Sequence, residues 1–492
     1  MPGGRSGYVA RVSRPRRTLA ALVAGVALAL TLGSGAESLG RSSGSTDVRP
    51  PGAAGIGDPY FPRDGNGGID VLSYDIHDRY GFRHGRLSGW TGLRIRGTAA
   101  ISSFDLDFLL PVRSVRVGGR AVAFSQSRHE LVVRRGLDPG EVVDVRVRYA
   151  GRPGGRSYAG ERNWLAGPAE VVAMNEPHMA PWWFPSNDHP LDKARIRVSI
   201  TVPKAYDVVS NGRRIVRKVR RDLATTTWRA DEPMAPYLAF FAAGRYRVDK
   251  GVRDGRPWLV AVSEALPTAV QPRAMRLMRQ TPGITRWLEG ELGAYPFSTV
   301  GGLVTGLEPG FALENQTRPT YSPASLTHST VVHELAHQWF GDSVAVHHWS
   351  DIWLNEGAAT FMEWRWEETH GGSSGDRRLH LLYDNVEADD EFWSHEVADP
   401  CPTRVGCVNR IFAPFVYQRG AMTLQALRNR IGSDDFRAVL RRWVADRRGD
   451  NGSTTQFEAL AAEVSGEDLG GFFAAWLHSG TKPADTADNG LG

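Results

Sequence analysis

Five residues, His333-Glu334-Leu335-Ala336-His337, constrain this chain more than any others. They lie in an apolar run, residues 330–340, whose pattern predicts a helix. A spacing of four puts both imidazoles on one helical face with Cβ atoms about 5–6 Å apart, which suits two ligands of one zinc ion. Glu334 is offset by one residue, so it flanks such a metal without ligating it. That is where a base must stand to take a proton from water. A second helical pattern carries Trp353-Leu354-Asn355-Glu356-Gly357, and the Glu356 carboxylate can return as a third ligand. Three protein ligands leave a coordination position open, the arrangement of a catalytic rather than a structural zinc. The constellation by itself implies zinc-assisted hydrolysis, with one zinc ion per chain.

The formal charge of +5 hints at an acidic partner until the basic residues are located. Arg5, Arg11, Arg14, Arg16 and Arg17 account for all of it, in a stretch of 36 residues without Asp or Glu. Nothing in the charge argues for nucleic acid. Those arginines precede a 14-residue apolar run, 19–32, and then Gly33, Ser34, Gly35 and Ala36. As a helix the run spans only about 21 Å, short of a hydrocarbon core near 30 Å. Residues 1–36 therefore read as a secretory signal peptide cleaved after Ala36, by the general or the twin-arginine route, and no stable membrane anchor is expected. The two cysteines, Cys401 and Cys407, are expected to pair in an exported protein and close a small loop.

With 41% hydrophobic content in 492 residues, there is apolar material for two or three domains. Residues 37–57, rich in Gly, Ser, Pro and Ala, read as a flexible leader. Residues 58–248 show short alternating runs (92–97, 114–117, 131–133, 142–149, 196–202, 228–231) between turn residues, which predicts an antiparallel sandwich or saddle. Residues 249–482 change texture. A helix over about 268–292 is predicted there, followed by helices near 325–341, 352–370, 416–431, 434–447, 454–464 and 467–477. Residues 483–492 read as a frayed tail. The fold class is α+β.

The spacing His333-Glu334-x-x-His337, 18 intervening residues, then Glu356 within Trp-Leu-Asn-Glu-Gly, resembles the aminopeptidase N family of gluzincin metallopeptidases. Phe311-Ala312-Leu313-Glu314-Asn315 is similar to that family's Gly-x-Met-Glu-Asn exopeptidase motif. The similarity implies that Glu314 binds the substrate's free α-amine, with Ala312 and Asn315 also in the substrate site. Phe311 stands where the family has glycine, and Leu313 where it has methionine. Asn175-Glu176-Pro177, followed by Phe184-Pro185-Ser186-Asn187-Asp188-His189-Pro190, resembles the segment that brings a second amine anchor, at Glu176. Val416-Tyr417-Gln418-Arg419-Gly420 resembles the Tyr-x-Lys-Gly segment and matches the family's catalytic tyrosine at Tyr417, a phenol suited to stabilising an oxyanion. Glu363, seven residues past Glu356, reads equally as a partner of a zinc-bound imidazole and as a solvated helix acid. His328, His347 and His348 are expected to be structural, and the tryptophans to pack in the core.

The resemblance spans about residues 60–483 and implies a β domain followed by a thermolysin-like zinc peptidase domain. Larger family members continue into a β module and a helical domain that caps the active site. This short secreted member is expected to lack that cap, leaving a cleft that admits longer peptides. Expected partners are peptides with free N-termini, and the chain is expected to be a monomer. Two alternatives stay open: a zinc endopeptidase, which shares the metal logic without needing amine anchors, and a catalytically silent zinc-stabilised binding protein.

Overall fold

The computed structural model describes residues 49–492, so the expected signal peptide and most of the expected leader lie outside the described residues. The short alternating runs assemble into an eight-stranded sheet. Its strands lie in the order Arg213–Arg220, Leu223–Met234, Ala194–Pro203, Ile69–Gly81, Arg86–Gly97, Val142–Gly151, Val112–Val117, Arg120–Ala121. Neighbours are antiparallel except Ile69–Gly81 beside Ala194–Pro203, which run parallel. The period-2 pattern decides the faces: along Val142–Gly151, Val145, Val147 and Tyr149 are buried while Asp144, Arg146 and Arg148 are exposed.

Two smaller sheets accompany it. One has four strands in the order Asp207–Ser210, Phe241–Gly244, Val171–Ala173, Trp164–Ala166, and the other has three, Phe104–Asp107, Glu130–Val133, Phe124–Ser127. Aromatic contacts join the layers, Tyr74 against Phe184 and Tyr149 against Phe108, with ring centroids 5.3 and 4.8 Å apart.

A five-stranded mixed sheet opens the second half: Tyr246–Arg253, Arg256–Ser263, Val300–Val304, Thr320–Tyr321, Ala312–Leu313. The boundary expected at 248/249 falls inside its first strand, so the change of sheet comes after Gly244 instead. The cause is the two-residue turn Asp254-Gly255, with φ of 51° and 77°, which closes a hairpin pairing Arg253 with Arg256.

The helices are α1 (Gln271–Met278), α2 (Thr281–Leu292), α3 (His328–Ala336), α4 (Trp353–Thr369), α5 (Gly375–Asn385), α6 (Cys407–Arg410), α7 (Pro414–Ile431), α8 (Ser433–Asp446), α9 (Thr454–Ser465) and α10 (Gly470–Trp476). The single helix expected over 268–292 is two. Pro282 supplies no N–H and lies in the first turn of α2, where none is needed, so the chain restarts there. Among the described residues no helix is long and apolar enough to cross a membrane.

Both ends of the described chain are tied down. Gly52 N donates to Ser103 O at 2.8 Å, within the segment read as leader. The tail expected to fray is held as well: Tyr383 donates to Pro483 O at 2.7 Å, Trp476 Nε1 to Asn489 O at 3.1 Å, and Leu491 is buried. Its polar composition concealed backbone acceptors already matched to buried donors.

Helices α4 and α7 meet at Gly357 and Gly420. A Cβ added to either would lie 2.8 Å from the other's Cα, closer than a side chain tolerates. Only glycine permits that approach, and it brings the first turns of the two helices to one site. Gly420→Ala is expected to lower stability by about 1–3 kcal/mol, the usual cost of overpacking. A urea midpoint equal to that of the wild type would show that the helices separate without loss.

Candidate active site

Helix α3 begins at Thr327, whose hydroxyl accepts from Thr330 N at 3.0 Å, a cap contributing about 0.5–2 kcal/mol. Two turns on, His333 and His337 project from one face with ring centroids 4.7 Å apart. Glu356 in the first turn of α4 completes a buried triad, its Oε2 standing 3.2 Å from His333 Nε2 and 3.4 Å from His337 Nε2. One ligand atom from each residue lies within 4.8 Å of the other two.

The outer nitrogens determine which atoms can bind metal. His337 Nδ1 is 3.0 Å from the Phe340 carbonyl, which only accepts, so Nδ1 carries a proton and Nε2 is the nitrogen left to face a metal. His333 Nδ1 is 2.7 Å from Glu363 Oε1, with the same consequence. Glu363, which the sequence left undecided, is therefore a partner of His333 and also accepts from the Ser329 hydroxyl. Burial raises its carboxyl, but those hydrogen bonds hold it below the usual carboxylate range. Burial likewise opposes ionisation of Glu356, yet the two imidazoles bring it down to about 2. Once a metal displaces their Nε2 protons, two imidazoles and one ionised carboxylate fit a zinc ion with an open position.

The triad lines a cavity of about 610 Å³ together with Glu161, Glu176, Ala312, Glu314, Glu334 and Tyr417. Burial pushes Glu334 up to about 8; His333 and His337 oppose the rise, and Glu314 and Glu356 add to it. A dication held by the triad would pull it back down. Glu314 receives the Tyr237 hydroxyl at 3.0 Å, while burial raises its carboxyl against the pull of His337. Glu176 has Oε1 shut off from solvent without a hydrogen-bond partner. Burial and then the charges of Glu314 and Glu356 push its carboxyl far up. Tyr417 stacks near-parallel to His333 with centroids 6.0 Å apart. Burial and the surrounding carboxylates, Glu356 foremost, push its phenol well above the ordinary value, so it remains a proton donor.

Ala312 belongs to the terminal strand of its sheet. It pairs with Tyr321 on one side, and among the described residues no strand pairs with the other. Asn315, read from the sequence as substrate-binding, does not line the cavity. It is fully buried, and its amide donates to Leu238 O at 3.2 Å, so it holds the Glu314 loop in place. Gln338 does the same from α3's end, donating to Glu314 O at 2.9 Å and accepting from Thr317 N at 2.7 Å.

Sequence reasoning passed over Gln338, Tyr237, Glu161 and the apolar wall Val408 and Phe412. Only Gln338 carried a signal, as a polar residue beside a ligand in an apolar run. The wall follows the loop closed by the Cys401–Cys407 disulfide, whose Cα atoms are 5.5 Å apart. His328 reaches Gln280 at 2.9 Å, and neither His347 nor His348 lines the cavity.

Glu363→Ala is expected to weaken zinc binding by roughly 10- to 100-fold with the fold intact, as loss of a ligand-orienting partner does. Competition with a metallochromic chelator measures this, and an unchanged affinity would make Glu363 a bystander.

Comparison with known proteins agrees with this geometry. The peptidase family M1 domain is matched over residues 301–476 and the peptidase M1 N-terminal domain over residues 165–238. The chain is 26% identical over 339 residues to tricorn protease-interacting factor F2 of Thermoplasma acidophilum, an alignment covering 62% of this chain and 40% of that protein. It is 24% identical over 442 residues to leucyl aminopeptidase of Saccharolobus solfataricus, covering 84% of this chain and 54% of that one. The chain thus spans about half the length, or less, of these curated relatives. A variant of an M1 zinc metallopeptidase from Deinococcus radiodurans, solved bound to a Tyr-Ser-Ala substrate, superposes with a TM-score of 0.77 at 26% identity, covering 88% of this chain and 100% of that one. With both matched domains in order, the fold shared and the His-His-Glu triad assembled inside the matched region, the chain belongs to peptidase family M1.

Proposed function

We propose that this chain is a zinc-dependent aminopeptidase, exported through residues 1–36, that hydrolyses the first peptide bond of peptides with a free N-terminus. The observation that carries this reading is the unpartnered Glu176 Oε1, in the same cavity as Glu314 and the triad. Two carboxylates beside the triad have no use in an endopeptidase, but an α-ammonium group gives both a counter-ion.

His333, His337 and Glu356 would hold the zinc ion, which when bound supplies a Lewis acid that lowers the pKa of water and polarises the scissile carbonyl. Glu176 and Glu314 bind the amine and fix the register, so that only the first peptide bond reaches the metal. The free edge at Ala312 offers backbone groups to an extended peptide. Glu334 accepts the proton of the attacking water and returns it to the departing amine. Tyr417 keeps its proton and donates a hydrogen bond to the carbonyl oxygen as negative charge builds there.

Kinetics on aminoacyl amides and short peptides separate these roles. Glu334→Gln should lower kcat by about 10²–10⁴-fold while zinc content stays at the wild-type level. A variant that hydrolyses like the wild type would overturn the proposed base. Glu176→Gln should act on KM, raising it about 10- to 100-fold, the range of one charge-assisted hydrogen bond. A pure kcat effect there would argue against amine binding. Dialysis against a chelator should abolish turnover, and added zinc should restore it.

A further inference from the structure

A second cluster of metal-ligating side chains lies outside the cavity, in the three-stranded sheet of the N-terminal half. Asp107 and Glu130 face each other across the antiparallel pair Phe104–Asp107 and Glu130–Val133. His129 precedes Glu130, and its ring is almost wholly buried, as is Asp107. The imidazole Nε2 is 3.1 Å from Glu130 Oε1, 3.7 Å from Asp107 Oδ1 and 3.0 Å from the Arg63 carbonyl. One ligand atom from each of the three side chains lies within 4.8 Å of the others.

The cluster is short of positive charge. Asp107 Oδ2 is satisfied by Asn66 Nδ2 at 3.0 Å and Asp188 N at 2.8 Å, but Asp107 Oδ1, both Glu130 oxygens and Asp188 Oδ2 are buried without a hydrogen-bond partner. Among the described residues no Lys or Arg lies within ion-pair distance of Asp107, Glu130 or Asp188; His129 is the one cationic candidate. His178, the nearby histidine, is already taken by Asp64 and Glu161. Unpaired carboxylates in such surroundings are expensive to keep ionised. Either protons or a metal cation must neutralise them. With only protons present, the His129 Nε2–H donates to the Arg63 carbonyl and Asp107 Oδ1 and both Glu130 oxygens stay without a partner; a divalent cation taking the place of that proton would engage all four groups.

We propose that Asp107, His129 and Glu130, with the Arg63 carbonyl, form a second divalent-metal site, separate from the zinc triad. Two carboxylates, a carbonyl and one imidazole make a mixed oxygen and nitrogen donor set. It favours a first-row ion such as Mn²⁺ over the all-oxygen preference of Ca²⁺ or Mg²⁺. The ion ties the segment at Arg63 to the hairpin carrying His129. One residue further on, Asp64 contacts His178, which contacts Glu161 in the wall of the substrate cavity. The metal therefore braces the side of the cavity from which Glu176 projects. Its role is structural, and the site stands whether or not the aminopeptidase reading does.

The test uses the full chain carrying His337→Ala and Glu356→Ala, which dismantles the zinc triad. After chelator treatment, the folded protein is titrated with Mn²⁺ and free Mn²⁺ is followed by electron paramagnetic resonance. We expect one Mn²⁺ bound per chain and a higher Tm in its presence. Adding Glu130→Gln should weaken that binding roughly tenfold or more, through loss of one anionic ligand. Glu130 is half-buried as a residue while Asp107 is fully buried, so this isosteric variant should fold even if Asp107→Asn does not. Absence of Mn²⁺ binding by the triad-less protein would show that protons neutralise the cluster, and the proposal falls. Binding that is indifferent to Glu130→Gln would place the ion elsewhere and overturn it equally.

Discussion

Negative charge buried around one cavity is the constraint that shapes the catalytic half of this protein. Glu176, Glu314, Glu334 and Glu356 share a space of about 610 Å³, each raising the cost of ionising the next. Carboxylates so placed need cations, and the cavity is arranged to accept two of different kinds. On the proposed reading, the imidazoles beside Glu356 are the place for a metal and the partnerless oxygen of Glu176 the place for an ammonium group. A zinc ion and a free peptide N-terminus are then, on the same reading, the two cations that balance these carboxylates.

Holding that arrangement falls to residues that never touch substrate. Gly357 and Gly420 let α4 and α7 approach until their backbones touch, which sets Glu356 and Tyr417 on either side of His333. Gln338 ties the Glu314 loop to the end of α3, which carries His333 and His337. Tyr237, from the N-terminal half, donates to the Glu314 carboxylate. The Glu314 loop is thereby tied to the ligand helix by one short hydrogen-bonded path, and its carboxylate is oriented by a second bond from the N-terminal half.

Much of the site was legible because its chemistry is local. His333, Glu334 and His337 are fixed relative to one another by one helical turn, and Glu356 and Tyr417 lie in short motifs with recognisable neighbours. Glu363 was half legible: two helical turns from Glu356 put it on the same face of α4, but only the fold shows that His333 lies opposite it. Glu161 and the wall formed by Val408 and Phe412, which line the cavity, and Tyr237, which bonds Glu314 from behind it, were not legible, because each arrives through long-range packing. Asn315, expected in the substrate site, instead turns away from the cavity because its amide is taken by the Leu238 carbonyl, a partner distant in sequence. In the fold, hydrophobic alternation located the large sheet. The Asp254-Gly255 hairpin, a signal in plain view, moved the boundary between the halves by carrying one strand into the other sheet.

The central claim is that Glu176 and Glu314 recognise a free ammonium group, and it concerns binding rather than turnover. Calorimetry on the zinc-loaded Glu334→Gln protein, comparing a tripeptide with its N-acetylated form, addresses it directly. Loss of the ammonium group should weaken binding by at least about tenfold, since two buried carboxylates are left without a counter-ion. Equal affinity for the two peptides would contradict the account.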